Sequence, residues 1–288
     1  MGAPIIHAFF HEPTNTVTYL VADPSTKAAA VIDPVLDYDP AGGTVDTSSA
    51  EAVLAKAAAL GWQIDMVLET HVHADHLSAA PMFKQRTGAM IAIGEGIREV
   101  QSVFRPMFEA DDLKPDAGDF DRLLKDGERI ALGELSIEVM AVPGHTCADV
   151  AYKVGDTVFV GDSLFMPDYG TARTDFPGGC AHMLYHSIQR ILSLPSETRL
   201  FMCHDYKAPG RDEFAWETTV AEQRAGNVHL AGKCEDEFVA MREARDATLA
   251  TPKLLLSAIQ VNSRAGRFPP PEANGVSYLK IPLTIPAT

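Results

Sequence analysis

A mixed α/β protein is what the sequence predicts, on three observations. Strand-like and helix-like patterns alternate along most of the chain. Of the 288 residues, 46% are hydrophobic and 22% charged, enough to bury a full core. Polar residues suited to metal binding recur at the ends of apolar, strand-like runs, so they can gather along one edge of a sandwich.

Taken in order, residues 5–10, 16–22 and 29–33 read as short strands separated by Pro13 and Pro24. A helix is predicted over 49–60, with Ser48 as N-cap, Glu51 completing a capping box and Gly61 as terminator. A strand over 64–70 follows, then a helix over 77–87 ending at Gly88, a strand over 89–93 and a helix over 95–109. Residues 110–127, rich in Asp, Lys and Gly, read as a loop lying over one face of the site. Strands at 129–131, 135–141, 150–154 and 157–160 form a second block. A helix at 181–193, a strand at 199–203 and helices near 212–224 and 234–249 complete the body. The segment from 252 onward, with Pro269-Pro270-Pro271, reads as irregular and packed on the surface or on another subunit.

Composition excludes several classes of partner. A formal charge of −15 with no basic patch argues against nucleic acid or anionic lipid. No apolar run reaches the ~18 residues of a membrane helix, and the opening MGAPIIHAFFHEP lacks a basic stretch followed by a long apolar one, so a cytoplasmic location is expected. Cys147, Cys180, Cys203 and Cys234 are widely spaced, as in a reducing compartment. Cys147 and Cys203 lie near histidines, yet buried inert thiols are the expected state.

The chemistry concentrates in His71-Val72-His73-Ala74-Asp75-His76, directly after the apolar Met66-Val67-Leu68. Imidazole and carboxylate are the side chains that hold Zn or Fe, and four in six residues call for a cation to organise them. If a strand ends at Thr70, the run occupies the following turn and can serve two adjacent metal positions. Three further points align with it: Pro143-Gly144-His145-Thr146 after one strand, Gly161-Asp162 after a hairpin, and Cys203-His204-Asp205 after the last strand. Singly each is ordinary loop chemistry. Together they form a candidate metal centre.

With HxHxDH, a later His, an Asp and a final His in this order, residues 5–225 resemble the metallo-β-lactamase superfamily. The resemblance implies an αββα sandwich of two mixed sheets flanked by helices. It also divides the chain into a catalytic domain over 1–225 and an extension over 226–288 packed on it. Within the superfamily, Arg173-Thr174-Asp175-Phe176, Gly179-Cys180-Ala181, Leu184-Tyr185-His186-Ser187 and His204-Asp205-Tyr206 look like the persulfide dioxygenases, in the form of a longer bacterial subgroup labelled β-lactamase-like.

That resemblance implies one Fe(II) per chain on His71, His145 and Asp162, with His73, Asp75, His76 and His204 around it or holding a second metal. Two imidazoles and a carboxylate on one face leave positions open for a sulfur anion and O2. The implied reaction converts glutathione persulfide, or another small persulfide, with O2 and water to sulfite and glutathione. Arg173 and Lys207 are the candidates for clamping substrate carboxylates, Tyr206 offers a hydroxyl near the sulfur, and Asp205 is placed with Tyr206 as catalytic. A homodimer is expected from the resemblance. A binuclear thioester hydrolase of the glyoxalase II type stays open, because every residue for two metals is present and Asp162 can bridge them. The chain departs from the shorter dioxygenases in a longer stretch between Asp162 and Arg173, an extended 94–127 region, and no cysteine after Cys234. Any role of a C-terminal cysteine therefore does not carry over.

Overall fold

The computed structural model describes residues 2–285. Strands β1 (Ile5–His11), β2 (Thr16–Ala22) and β3 (Ala28–Ile32) form the expected meander. A small ribbon absent from the sequence reading follows, β4 (Val35–Asp39) and β5 (Thr44–Asp46). Helix α1 (Ser48–Leu60) then leads into β6 (Gln63–Leu68). Gly61 closes α1 in the left-handed region at φ 66°, as predicted.

The capping box expected at Ser48 does not form, because the cap position is Thr47 and Ser48 is already helical. Its backbone N–H donates to Asp46 Oδ1 instead, and Glu51 pairs with Arg86 Nη1 at 2.6 Å.

The predicted helix over 77–87 divides. Leu77–Ser78 forms the two-residue strand β7 against β4, and helix α2 covers only Ala80–Thr87, starting where Pro81 fits the first turn. Strand β8 (Met90–Gly94) and helix α3 (Ile97–Phe108) follow as expected. The 110–127 segment does not cover the site. Its Leu113, Ala117 and Phe120 are buried in the core, and its end forms an edge strand, β9 (Arg122–Leu124).

The second block contains β10 (Arg129–Leu132), β11 (Leu135–Ala141), β12 (Val150–Val154) and β13 (Thr157–Phe159). After α4 (Ala181–Leu192) and β14 (Arg199–Phe201), the helix predicted near 212–224 is replaced by β15 (Glu217–Thr219) and the short α5 (Val220–Gly226). Thr219 caps α5 in a capping box with Glu222, a signal the sequence reading passed over. Helix α6 (Glu235–Asp246) is close to its expected span. A further helix, α7 (Leu255–Asn262), occupies part of the segment expected to be irregular. Its Ala258, Ile259 and Val261 are buried and supply the apolar contact that fixes it.

Two six-stranded mixed sheets result, ordered β1-β2-β3-β6-β8-β9 and β10-β11-β12-β13-β14-β15. Three apolar layers order the sandwich. Leu20, Val67, Ile91 and Phe83 pack the first sheet against α1, α2, α3 and α7. Tyr19, Leu68, Tyr152 and Phe201 fill the space between the sheets. Ala151, Val158, Leu184 and Phe238 pack the second sheet against α4 and α6. In β2 this gives strict alternation, with Val17, Tyr19 and Val21 facing the partner sheet and Leu20 and Ala22 facing helices. The layering is αββα, as predicted.

Two buried tyrosines tie the sheets reciprocally. Tyr19 of the first sheet donates to the Met202 carbonyl at 2.5 Å, and Tyr152 of the second donates to the Glu69 carbonyl at 2.7 Å. Both acceptors stand two residues before a histidine of the candidate site, His204 and His71. No helix of the described residues is long and apolar enough to cross a membrane.

Candidate metal centre

Each polar group of the candidate centre follows a strand: His71 after β6, His145 after β11, Asp162 after β13 and His204 after β14. Strand ends give them a rigid base, and glycine gives them room. Gly144, at φ 149°, lies so close to α4 that a Cβ would sit 2.3 Å from Leu184 Cα, so the turn carrying His145 tolerates no side chain there.

The ligating atoms of His71, His145 and Asp162 all lie within 4.8 Å of one another, and all three residues are buried. Asp162 Oδ2 is 3.9 Å from His71 Nε2 and 3.6 Å from His145 Nε2, while its Oδ1 is 3.2 Å from His204 Nε2. His73 groups otherwise, with Asp33 and Glu69, with Asp75 and His76, and with Cys203 and His204. The structure thus brings together all seven metal candidates but sorts them unequally.

Neighbouring acceptors fix the tautomers. His145 Nδ1–H donates to the Arg173 carbonyl at 2.8 Å. His71 Nδ1 lies 3.0 Å from Thr70 Oγ1, whose hydroxyl donates to Asp33. His204 Nδ1 lies 3.2 Å from the Asn15 carbonyl. Each ring therefore turns an Nε2 lone pair inward. Among the described residues His71 Nε2, His76 Nε2, His204 Nε2 and Asp162 Oδ1 are buried without a hydrogen-bond partner. Both ring nitrogens of His73 lack one as well. Buried polar atoms are normally paired, so orphans clustered in adjoining groups fit a site for metal.

Electrostatics divide the rings: His204, though opposed by burial, is raised to about 9 by Asp162 and Asp75. Burial, with His73 adding to it, pushes the His71 imidazole well below its ordinary value, which keeps it neutral as a ligand must be. Burial would raise Asp162, but His204, His71 and His145 outweigh it and hold the carboxyl far below the usual range. His73 is opposed by burial yet raised to about 10 by Asp33, whose Oδ1 is 3.0 Å from Nε2. Glu69, pushed up to about 7 chiefly by burial, completes this inner cluster, and Ser78 Oγ donates to it.

Sequence reasoning did not find Asp33 or Glu69. A carboxylate closing an apolar run at Ala30-Val31-Ile32-Asp33 was the available signal. Cys203 is buried with its thiol well above the ordinary range, and contacts Asp33.

A cavity of about 930 Å3 opens onto the centre, lined among others by His145, Asp162, Phe165, Tyr206, Phe176 and Leu254. Tyr206 sits there as expected, stacked on His204 with ring centroids 5.6 Å apart. Three other expectations change. Asp205 is fully buried with both oxygens on Arg211, at 2.5 and 2.6 Å, so it braces the fold instead of meeting substrate. Lys207 does not line the cavity, because its ammonium lies over the Phe214 ring at 4.1 Å. Arg173 does line it, but its guanidinium is held by Asp175 at 2.6 and 2.7 Å and by the Ala250 carbonyl. Its contribution to the centre is its backbone carbonyl. Two cations on the cavity wall that sequence reasoning missed, Arg245 and Lys253, make no side-chain hydrogen bond or ion pair among the described residues.

The loop bearing Arg173 is held from α6. Asp246 Oδ2 accepts from Thr174 N–H at 2.8 Å, and Arg242 binds Asp246 Oδ1 and the Thr171 carbonyl. His229 Nδ1 accepts from Thr171 N–H at 2.9 Å, and burial, aided by Arg242, Arg245 and Lys233, pushes its pKa down to about 4. Unfolded, the ring binds a proton near 6.5, so between about 6.5 and 4 the unfolded state holds more protons and stability falls as pH falls. His229→Gln, which keeps an acceptor for Thr171, is expected to lose less melting temperature than the parent between about pH 7 and pH 4.5. Parallel melting curves for the two proteins would contradict this.

Over residues 11–204 the chain matches the metallo-beta-lactamase superfamily. It is 53% identical over 290 residues to a probable metallo-hydrolase of Burkholderia pseudomallei, covering 96% of this chain and 98% of that protein. It is 50% identical to a beta-lactamase hydrolase-like protein of Agrobacterium fabrum, covering 99% of this chain but spanning only 66% of that protein's length. Identity to the mitochondrial persulfide dioxygenase ETHE1 of Homo sapiens is 32% over 269 residues, 92% of this chain and 90% of the relative. The crystal structure of ETHE1 from Myxococcus xanthus superposes with a TM-score of 0.73 at 32% identity, over 91% of this chain and 100% of that one.

Proposed function

The chain belongs to the metallo-β-lactamase superfamily, and we propose that within it this protein is a persulfide dioxygenase. The observation that carries the reading is the separation of His71, His145 and Asp162 from His73. Two imidazoles and one carboxylate are the facial set of oxygen-activating mononuclear iron, and among the described residues His73 is not grouped with them. Likeness to persulfide dioxygenase sequences and to a solved ETHE1 supports it.

In this reading His71, His145 and Asp162 hold one Fe(II), which when bound supplies the redox chemistry between a persulfide sulfur and O2. Glutathione persulfide, O2 and water give sulfite and glutathione. The chain's own residues place the substrate. Phe165, Phe176 and Leu254 line the approach with apolar surface. Burial, with Asp75 and Asp162 adding to it, drives the Tyr206 phenol well above its ordinary value, so it keeps its proton and can donate a hydrogen bond to a sulfur anion.

Arg245 and Lys253, free where Arg173 and Lys207 are engaged, are placed to take the carboxylates of the thiol carrier. Arg245→Ala is expected to raise KM roughly 10-fold with kcat nearly unchanged, the cost of one charge-assisted contact. A variant whose KM matches the parent removes Arg245 from substrate binding.

An oxygen electrode tests the reaction itself. Iron-loaded protein should consume O2 only when glutathione persulfide is present, with about one iron per chain by metal analysis. A binuclear hydrolase is the second reading, favoured by the unpartnered His76 Nε2 and His204 Nε2 and by the metallo-hydrolase name of one relative. Two metals per chain and thioester cleavage without O2 uptake would establish it in place of the first.

A further inference from the structure

We infer that Asn262, on the C-terminal helix α7, is a positioning residue that fixes the histidine loop of the metal centre. Its side chain makes three hydrogen bonds, all to the backbone of that loop. Asn262 Nδ2 donates to the His73 carbonyl and to the His76 carbonyl, both at 2.8 Å, and Asn262 Oδ1 accepts from Ser78 N–H at 2.8 Å. The residue is 5% exposed, so these bonds face no competition from water.

Three anchor points across six residues restrain the turn. The segment they hold carries His73, Asp75 and His76, and the His73 ring packs on His71 with centroids 4.0 Å apart. A second path runs through Ser78, whose hydroxyl donates to Glu69 and whose N–H is the one Asn262 binds; Glu69 Oε2 lies 3.7 Å from His73 Nε2. Release of Asn262 therefore frees the loop from below while every ligating side chain remains. Other buried contacts hold α7 without touching this loop: Gln101 Nε2 donates to the Ser263 carbonyl at 2.9 Å, and its Oε1 accepts from Ala117 N–H. That contrast makes the positioning role separable from the anchoring of α7.

The test compares Asn262→Leu with Gln101→Leu, each loaded with iron or zinc and challenged with a chromophoric chelator while melting temperature is followed. Both variants should melt lower than the parent. Asn262→Leu should release metal about 10-fold faster or more, in the range of groups that orient ligands, and Gln101→Leu at the parental rate. Asn262→Asp keeps the acceptor for Ser78 but loses both donors to the carbonyls, so it should also release metal faster; it carries the comparison if the leucine variant does not fold. Equal release rates in the Asn262 and Gln101 variants overturn the inference, since loss of stability alone then explains them. The readout does not depend on which reaction the centre performs. A parent protein that takes up neither metal would overturn the metal centre together with this inference, whereas metal-bound Asn262 variants that behave as the control overturn the inference alone.

Discussion

His71→Ala is expected to leave protein that folds, holds almost no metal and, if the proposed reaction is right, oxidises persulfide more than about 100-fold more slowly, beyond the 10–100-fold typical of groups that only orient a ligand. Removing the imidazole deletes one of three convergent ligand atoms and takes away a buried Nε2 that has no partner in the protein. The fold has little else at stake there, because the ring's one hydrogen bond is to the adjacent Thr70. His76→Ala provides the contrast. If the ion rests on His71, His145 and Asp162, this second variant keeps one metal per chain and loses only part of its rate; a binuclear centre would drop from two metals to one. Metal analysis beside initial rates reads both, and a His71→Ala protein with parental metal content would refute the assignment.

Asp246→Ala is expected to cost about 3–5 kcal/mol, because it strands a buried guanidinium. Arg242 is 1% exposed and Asp246 4%, and Arg242 Nε lies 2.9 Å from the carboxylate it would lose. Thr174 N–H and Oγ1 would lose their acceptor as well. The melting temperature should fall by roughly 5–8 °C. Activity should fall by about 10-fold in molecules still folded, since the 171–175 segment carries the carbonyl that orients His145. The double variant Arg242→Met with Asp246→Leu separates the two effects. Apolar replacement of a buried pair often restores stability, but it cannot hold Thr174, so melting should recover while the rate stays low. Recovery of both would show that the ion pair serves the fold alone.

The metal candidates were legible in the chain because their signal is local. A histidine run after an apolar strand, and single polar residues after three later strands, need no knowledge of the fold to be noticed. The strands of the sandwich were legible for the same reason, since a doubly buried strand such as β2 leaves a short, nearly unbroken apolar run. Substrate residues were not. Whether Arg173 is free to bind depends on Asp175 and on the Ala250 carbonyl, a partner 77 positions away. Asp205 reads as catalytic beside Tyr206 until Arg211 claims both its oxygens. Helix α7 escaped because its short apolar stretch precedes a proline-rich segment, and only packing against α3 and the histidine loop makes it a helix. Short strands such as β4, β5 and β15 are likewise products of pairing, not of propensity.

The reciprocal tyrosine bonds make the gap between the sheets a gauge for the whole centre. His71 rides on one sheet, and His145 and Asp162 on the other, so any shear of the two layers changes the ligand spacing directly. Tyr19 and Tyr152 oppose that slippage from both sides at once, each pinning the strand end beneath a histidine. Tuning of the centre by distant substitutions should then follow a simple geography: changes in the middle layer alter the ion's fit, while changes of similar cost under the outer helices leave it untouched.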